Sequence, residues 1–384
     1  MKTLNVGIVG YKFMGKAHSN AWKKAPFFFD LDATPVLKVA CGRNKESLKE
    51  FADRWGWEQT ESDWKKMVRR DDVDIVDISA PQYLHYDIAM EAARAGKHIF
   101  CEKPLALNAA QAKEMYELAE KKGITHYLNH NYRRIPAVRL AKKLIADGRI
   151  GRIFHWRGCY LQSWITDPQS PLIWQLQKEY AGSGPQADLN SHSVDLARYL
   201  VGEIRKVTAM TSHFITERPL AEEGSGVFGG ASKRAEKGNV TVEDAAFMTV
   251  EFENGALGSF EASRFATGRK NYNYFEIYGS KGSIVFDLEK MNDLQFFSAD
   301  DPAEAQGFRT ILATEGVHEY VSHWWPPGHI IGYEHTFVHA VVDFLKAIET
   351  KTKIEPNFHD GMKGMQVLDA GLRSAETGTT VTLA

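Results

Sequence analysis

The chain has 384 residues, too many for one ordinary hydrophobic core, so two domains are expected. Its 47 basic and 49 acidic residues give a formal charge of −2, which argues against the basic face that nucleic-acid binding needs. No apolar run approaches a membrane span, no secretory h-region opens the chain, and Cys41, Cys101 and Cys159 are too few and too scattered for a disulfide framework. A cytoplasmic protein without nucleic-acid or membrane partners is expected.

Residues 4–9 read as a buried strand that breaks at Gly10 and enters a helix near Met14. This strand–turn–helix is where a doubly wound α/β sheet places a dinucleotide pyrophosphate, on backbone N–H groups at a helix N-terminus. Gly10 suits the tight turn and Gly15 close helix–strand packing, but Lys12 replaces the middle glycine of the fingerprint. Its Cβ pushes the backbone away from a pyrophosphate, while its ammonium can contact a phosphate. A helix over 16–24 and an irregular Phe-rich loop over 26–35 lead to a second strand, 36–41. That strand ends Gly42-Arg43-Asn44, without the carboxylate that binds a ribose 2′-OH. Arg43 either binds a 2′-phosphate, stacks on adenine, or is a solvated loop arginine, so NAD and NADP both fit, with a lean to NADP.

A helix over 44–55 closes at Gly56, and a strand over 74–79 ends in Ala80-Pro81 before a helix holding Leu84, His85 and Ile88. Another strand, 97–101, ends in Glu102-Lys103-Pro104; a helix over 108–122 and a last strand over 125–128 follow. Such alternation predicts a mostly parallel sheet, with Gly10, Arg43, Pro81 and Lys103 collected at its carboxyl edge.

After a helix over 138–146 the pattern changes to strands. Residues 153–159 are extended, 246–252 and 257–265 form a hairpin about Asn254-Gly255, and 274–278 and 283–288 form another about 279–282. An antiparallel sheet is expected, with helices on one face and room for a partner subunit on the other. Residues 217–239 read as a long mobile loop. The stretch 300–332, with His318, His323, Trp324, Trp325 and His329, either packs on the body or forms a lid over a ligand. His335, His339 and Asp343 mimic metal-ligand spacing, but 333–349 is an amphipathic helix with Phe337, Val341, Phe344 and Leu345 on its apolar side, and further ligands are missing, so no metal is expected. The fold class is α/β: an N-terminal doubly wound Rossmann domain (1–132) and a C-terminal α+β domain (133–384) with a large, mostly antiparallel open sheet.

Chemistry concentrates at 182–195, where glycines lead into a helix running to Leu200, with Asp188 and His192 four apart on one face. On residues alone they are either a catalytic pair or a helix-dipole partner and a surface histidine. Gln162 and Trp164 offer an amide and an indole, suited to the edge and C–H face of a sugar ring; the other reading leaves Trp164 in the core and Gln162 exposed.

Three motifs together carry a resemblance: Gly7-Ile8-Val9-Gly10 with Met14-Gly15 and His18; Ser79-Ala80-Pro81 with His85; and Cys101-Glu102-Lys103-Pro104-Leu105-Ala106. They resemble the Gfo/Idh/MocA oxidoreductase family, and the likeness runs through essentially the whole chain, with 129–136 as the inter-domain crossover and 160–164 similar to a segment of sugar-oxidising members. Lys12 and Gly42-Arg43 depart from the family's commonest pattern.

The resemblance implies an NAD- or NADP-dependent oxidoreductase acting on a secondary alcohol of a cyclic polyol: a sugar, anhydrosugar, glycoside or inositol. It implies Lys103, Asp188 and His192 as catalytic residues. Cofactor contacts fall on Gly10, Lys12, Phe13, Met14 and Arg43, and on Ala80, Pro81, His85, Glu102, Lys103 and Asn131. Substrate contacts fall on Lys103, Arg133, Gln162, Trp164, Asp188, His192 and Tyr333. No metal is implied, and a homodimer or homotetramer forms through the C-terminal sheet. The rival readings are a glycosidase that recycles its nicotinamide within one turnover and a non-catalytic dinucleotide sensor.

Overall fold

The computed structural model describes residues 2–221 and 236–383. Two compact units divide the chain: Met1–Arg134 with Tyr320–Lys363, and Ile135–Glu319 with Gly364–Ala384.

The first unit begins β1 (Lys2–Val9), α1 (Phe13–Phe28), β2 (Ala33–Cys41), α2 (Lys45–Trp55), β3 (Gln59–Glu61) and α3 (Trp64–Val68). It continues β4 (Ile75–Ile78), α4 (His85–Arg94), β5 (His98–Cys101), α5 (Ala109–Lys122) and β6 (His126–Leu128). All six strands are parallel, in the order β3-β2-β1-β4-β5-β6. This doubly wound order reverses between β1 and β4, where such sheets open a ligand crevice. Helices cover both faces, so β4 is buried along its length, including Asp77 within its apolar run.

In the second unit, α6 (Pro136–Ala146) precedes β7 (Ile153–Leu161), the short helices α7 (Lys178–Ala181) and α8 (Pro185–Asp188), and α9 (Asn190–Leu200). Strands β8 (Ile204–Ser212), β9 (Glu217–Pro219), β10 (Lys237–Asn239), β11 (Ala245–Phe252) and β12 (Leu257–Ser263) follow. Then come β13 (Tyr272–Gly279), β14 (Gly282–Asp287), β15 (Asp293–Ser298) and β16 (Arg309–Leu312). The chain finishes with α10 (Tyr333–Thr350), α11 (Phe358–Thr377) and β17 (Val381–Thr382). A nine-stranded sheet runs β16-β15-β14-β13-β7-β12-β11-β8-β17, antiparallel except where β7 pairs parallel to β12. Along β11, Met248, Val250 and Phe252 are buried while Phe247 and Thr249 face outward, the alternation of a sheet covered on one side.

Three expectations are corrected here, and one open choice is decided. Helix α1 does not stop before the Phe-rich stretch but carries Pro26 within it and ends at Phe28; Ala25 and Phe29 are buried and hold the last turn in place. Residues 320–363, assigned from sequence to the second domain, belong to the first unit, because α10 packs Phe337 and Phe344 into one core with Trp22 of α1. Within 300–332, where packing and a lid were both open, Trp324 lies tilted against Phe28 at 4.3 Å and donates its indole N–H to His339 at 2.8 Å, so this part is packed on the body. The ends of the 217–239 stretch form the β9–β10 ribbon; residues 222–235 of that expected loop lie outside the described residues.

Candidate active site

Gly10 leaves β1 with φ of +111°, and a Cβ there would stand 2.4 Å from the Ser79 carbonyl oxygen. A Cβ on Gly15 would stand 2.3 Å from the Gly10 oxygen. The end of β1, the end of β4 and the start of α1 are thus packed backbone on backbone, which only glycine permits. Phe13 and Met14 open the 16-residue α1, whose first turn has neither a side-chain cap nor an acidic residue. Its N–H groups and dipole are the ordinary requirements of a pyrophosphate site. Lys12 precedes them with its ammonium 5.4 Å over the Tyr11 ring. Phe13 stacks on Tyr333, 6.4 Å away at 16°. Arg43 is exposed just ahead of α2, which Asn44 caps by accepting the Ser47 N–H.

Several residues named for ligand contact turn out to be interior. His85 sets Nδ1 2.9 Å from the Pro104 oxygen and Nε2 2.9 Å from the Ala80 oxygen, so it braces the two turns instead of reaching outward; burial lowers its pKa. Asn131 donates to Thr336. Arg133 is buried and ion-paired with Asp360 at 3.0 Å. Tyr333 opens α10 among Phe13, Tyr132 and Phe337, a first-unit aromatic cluster. His339 has its ring nitrogens against Arg134 and Trp324 and lies in the core, while half-buried Asp343 pairs with Arg134 at 2.9 Å. Among the described residues no cluster of histidine, cysteine and carboxylates could hold a metal ion.

Glu102 is buried in a network that sequence reading did not assemble. His18, on α1, lies with Nδ1 2.8 Å from Asp77 Oδ1 and Nε2 2.8 Å from Glu102 Oε1. Trp22 donates to Asp77 Oδ2 at 2.6 Å, Ser79 to Asp77 Oδ1 at 2.9 Å, and Asn129 to Glu102 Oε1 at 2.6 Å. Burial acts to lower the His18 pKa, but the charges and hydrogen bonds of Asp77 and Glu102 outweigh it and raise it to about 10. Burial likewise acts to raise that of Glu102, and His18, Lys103 and Asn129 together bring it below the ordinary carboxylate range. The signal available in the sequence was Asp77 itself, a carboxylate inside an apolar strand.

The second unit gathers the other expected residues. The helix expected from the glycines to Leu200 is divided at Leu189 into α8 and α9, with Asp188 ending the first piece and His192 in the first turn of the second. Gly184 is needed at the lead-in because a Cβ there would meet the Glu243 carbonyl at 2.0 Å, while the Glu243 carboxylate accepts the Gln186 N–H. His192 is buried, not a surface histidine, with the Tyr160 ring edge-on at 5.5 Å. Tyr160 donates its hydroxyl to Asn271 at 2.7 Å; Gln162 donates its amide to the same oxygen at 2.9 Å and accepts the Trp164 indole N–H at 2.8 Å. Arg264, its side chain 1% exposed, lies 5.4 Å over the Trp164 ring and donates to Asp188 at 2.8 Å. Asp188, His192, Gln162 and Trp164 therefore form one connected cluster with Tyr160, Arg264 and Asn271. Arg264 and Asn271 were missed because each lies far along the chain from the residue it contacts. Half-buried Trp164 packs against Ile165 and Leu172 while its polar edge meets Gln162, so it is part core and part site wall.

Chemically, the first unit offers a helix N-terminus for a dinucleotide, and the second offers a histidine, a carboxylate and an amide–indole wall. Comparison with known proteins agrees with this division. Residues 4–130 match the family described as "Oxidoreductase family, NAD-binding Rossmann fold", and residues 138–285 match the "GFO/IDH/MocA C-terminal domain". Levoglucosan dehydrogenase of Pseudarthrobacter phenanthrenivorans is 47% identical over 378 residues, 98% of this chain and 97% of that protein. Myo-inositol 2-dehydrogenase of Thermotoga maritima is 27% identical over 288 residues, 74% of this chain and 75% of that one. A levoglucosan dehydrogenase structure in complex with NADH and levoglucosan superposes with a TM-score of 0.94 at 45% identity, covering 100% of both chains. An oxidoreductase domain protein from Kribbella flavida gives 0.94 at 47% identity, again over 100% of both.

Proposed function

The chain belongs to the Gfo/Idh/MocA family of NAD-binding oxidoreductases, and on that premise we propose that it transfers hydride between a secondary alcohol of a cyclic sugar or polyol and nicotinamide. An anhydrosugar of the levoglucosan type is the first substrate to expect, given the whole-length similarity to a levoglucosan dehydrogenase. The observation that carries the reading is the joined cluster of Asp188, His192, Gln162 and Trp164, in a chain whose other unit has a glycine-built helix N-terminus ready for a dinucleotide.

When bound, the nicotinamide supplies the acceptor for the hydride that leaves the carbinol carbon. The hydroxyl proton needs a base that titrates near neutrality, and His192 is the residue assigned to take it. Asp188, fixed by Arg264, orients the hydroxyl or the imidazole. The Lys103 ammonium offsets the negative charge that develops on the oxygen. In the reverse direction His192 returns the proton. Arg264 holds Asp188 as a carboxylate acceptor, and Gln162 with Trp164 presents an amide edge and an apolar face to a ring.

NAD is the cofactor to test first, since the matched domain is NAD-binding and related structures contain NADH; exposed Arg43 keeps NADP in the comparison. We also propose assembly through the open face of the nine-stranded sheet. Met210 (76% exposed) pairs with Phe247 (49%) on that face, and Leu257 (61%) lies along it, an apolar surface suited to a second copy. Among the described residues no helix is long and apolar enough to cross a membrane, and the free thiols Cys41 and Cys101 are buried, which suits a cytoplasmic setting.

The test is the appearance of reduced-nicotinamide absorbance with NAD and NADP across levoglucosan, glucose, simple glycosides and inositols. Signal with one group supports the reading and names the class. Release of free sugar from an aryl glycoside without net reduction would point to the internally recycled glycosidase. Tight nicotinamide binding with no turnover anywhere would point to a sensor.

A further inference from the structure

The His18 network is buried, charged and absent from the mechanism above. It links the two turns that follow β4 and β5. Nδ1 of His18 faces Asp77, whose carboxylate also takes the Ser79 hydroxyl at the first of these turns. Nε2 faces Glu102 Oε1, and Oε2 of the same carboxylate accepts the Lys103 backbone N–H at 3.2 Å. Asn129 closes the far side, donating its side chain to Glu102 and its backbone N–H to the Cys101 carbonyl. The charged groups facing His18 are Asp77 of β4 and Glu102 after β5. Its other neighbours are uncharged: Trp22 of α1, Ser79, Phe100 of β5, Asn129 after β6 and Phe337 of α10.

Two carboxylates held within hydrogen-bond reach of one ring, and bonded further to both turns, do more than fill a core. A carboxylate fixed on one oxygen by His18 and Asn129 cannot rotate, so its second oxygen holds the Lys103 backbone in one place. From this geometry we propose that His18 is a positioning residue, which locks Glu102 and through it sets where Lys103 stands at the carboxyl edge of the sheet. The inference rests on the role proposed for Lys103. It goes further by assigning a function to the first-helix histidine and to the Glu102 carboxylate, which acts here as an internal strut. A positioning role predicts a loss in the transition state, where the ammonium acts, with substrate binding largely kept.

The test is a double-mutant cycle on the full-length enzyme, scored as kcat per NADH-binding site and as KM. His18→Gln and Glu102→Gln should each lower kcat on the order of 10- to 100-fold with little change in KM. The double variant should be no worse than either single one, because both remove the same strut. Losses that multiply, or an unchanged kcat per binding site, would overturn the proposal. Lys103→Ala runs alongside: if it leaves turnover intact, the reading of Lys103 fails; if it abolishes turnover while His18→Gln is silent, only the strut fails. Should His18→Gln not fold, imidazole nitrogen resonances of the unaltered protein decide. A doubly protonated His18 at neutral pH is expected, and a neutral ring would sink the idea.

Discussion

His18 and His339 bury the same side chain in one unit in opposite charge states, and the stability of the protein should therefore peak near neutrality. His18 faces an acceptor at each nitrogen, Asp77 and Glu102, which only the doubly protonated ring can satisfy. His339 accepts the Trp324 N–H at Nε2 and lies with Nδ1 2.9 Å from the Arg134 carbonyl, which only the neutral ring can satisfy; burial is the main cause that lowers its pKa to about 3. In the unfolded chain both return to about 6.5. Above 6.5 the folded state keeps a proton on His18 that the unfolded chain releases, so this contribution is complete below 6.5 and declines up to about 10. Below 6.5 the unfolded chain gains a proton that buried His339 refuses, so that contribution is complete above 6.5 and declines down to about 3. Each limb has a limiting slope of about 1.4 kcal/mol per pH unit. From pH 7 to 8.5 the His18 limb should remove about 2 kcal/mol. Burial raises the thiols too, Cys41 to about 12, which adds a loss of the same sign that sets in only toward their unfolded value of 9.0 and is common to both proteins below. Urea unfolding followed by tryptophan fluorescence, in the unaltered protein and in His18→Gln, isolates this term. Equal slopes for both proteins over that window would refute the reasoning.

Three further outcomes are expected. His192→Ala should nearly abolish turnover while leaving NADH binding, measured by its fluorescence, within about a factor of two, since general-base losses are typically on the order of 10²- to 10⁴-fold. Gly10→Ala should weaken NADH binding by roughly tenfold or more and lower the urea midpoint, because φ of +111° and a 2.4 Å approach to Ser79 strain the turn by about 1–3 kcal/mol. Phe247→Lys should shift light-scattering mass toward the monomer; an unchanged mass would show that the open sheet face is not the assembly surface.

Local signals carried much of the architecture. Asn44 and Asn108 cap α2 and α5 through their side-chain oxygens, Gly56 ends α2 in the left-handed conformation, and Asn254-Gly255 turns the β11–β12 hairpin. Each rests on chemistry within a few residues. What escaped depends on distant partners. Asp77 reads as an anomaly in β4 until His18 and Trp22 arrive from α1. Pro26 reads as a helix stop until the aromatic packing beside it is known. In the candidate site, type and spacing left two readings each for Asp188 with His192 and for Gln162 with Trp164, and the family resemblance favoured the site reading; Arg264 and Asn271 gave no signal at all. The internal bonds of His85, Arg133 and Asn131 escaped for the same reason: the remote backbone, Asp360 and Thr336 that they meet are invisible along the chain.

The parallel join of β7 to β12 bears on the order in which the second unit is built. Hairpins β11–β12 and β13–β14 close over short turns and need little loop entropy. Strand β7 pairs Cys159 with Glu261 on one side and Tyr274 on the other, wedged between two pieces that can form without it. Non-local pairing of this kind is slow. Tyr160 lies on that strand and Gln162 just past it, so the wall opposite His192 exists only once this last seam has closed. The first unit waits as well, since α10, which completes its core, follows every strand from β7 to β16 in the chain.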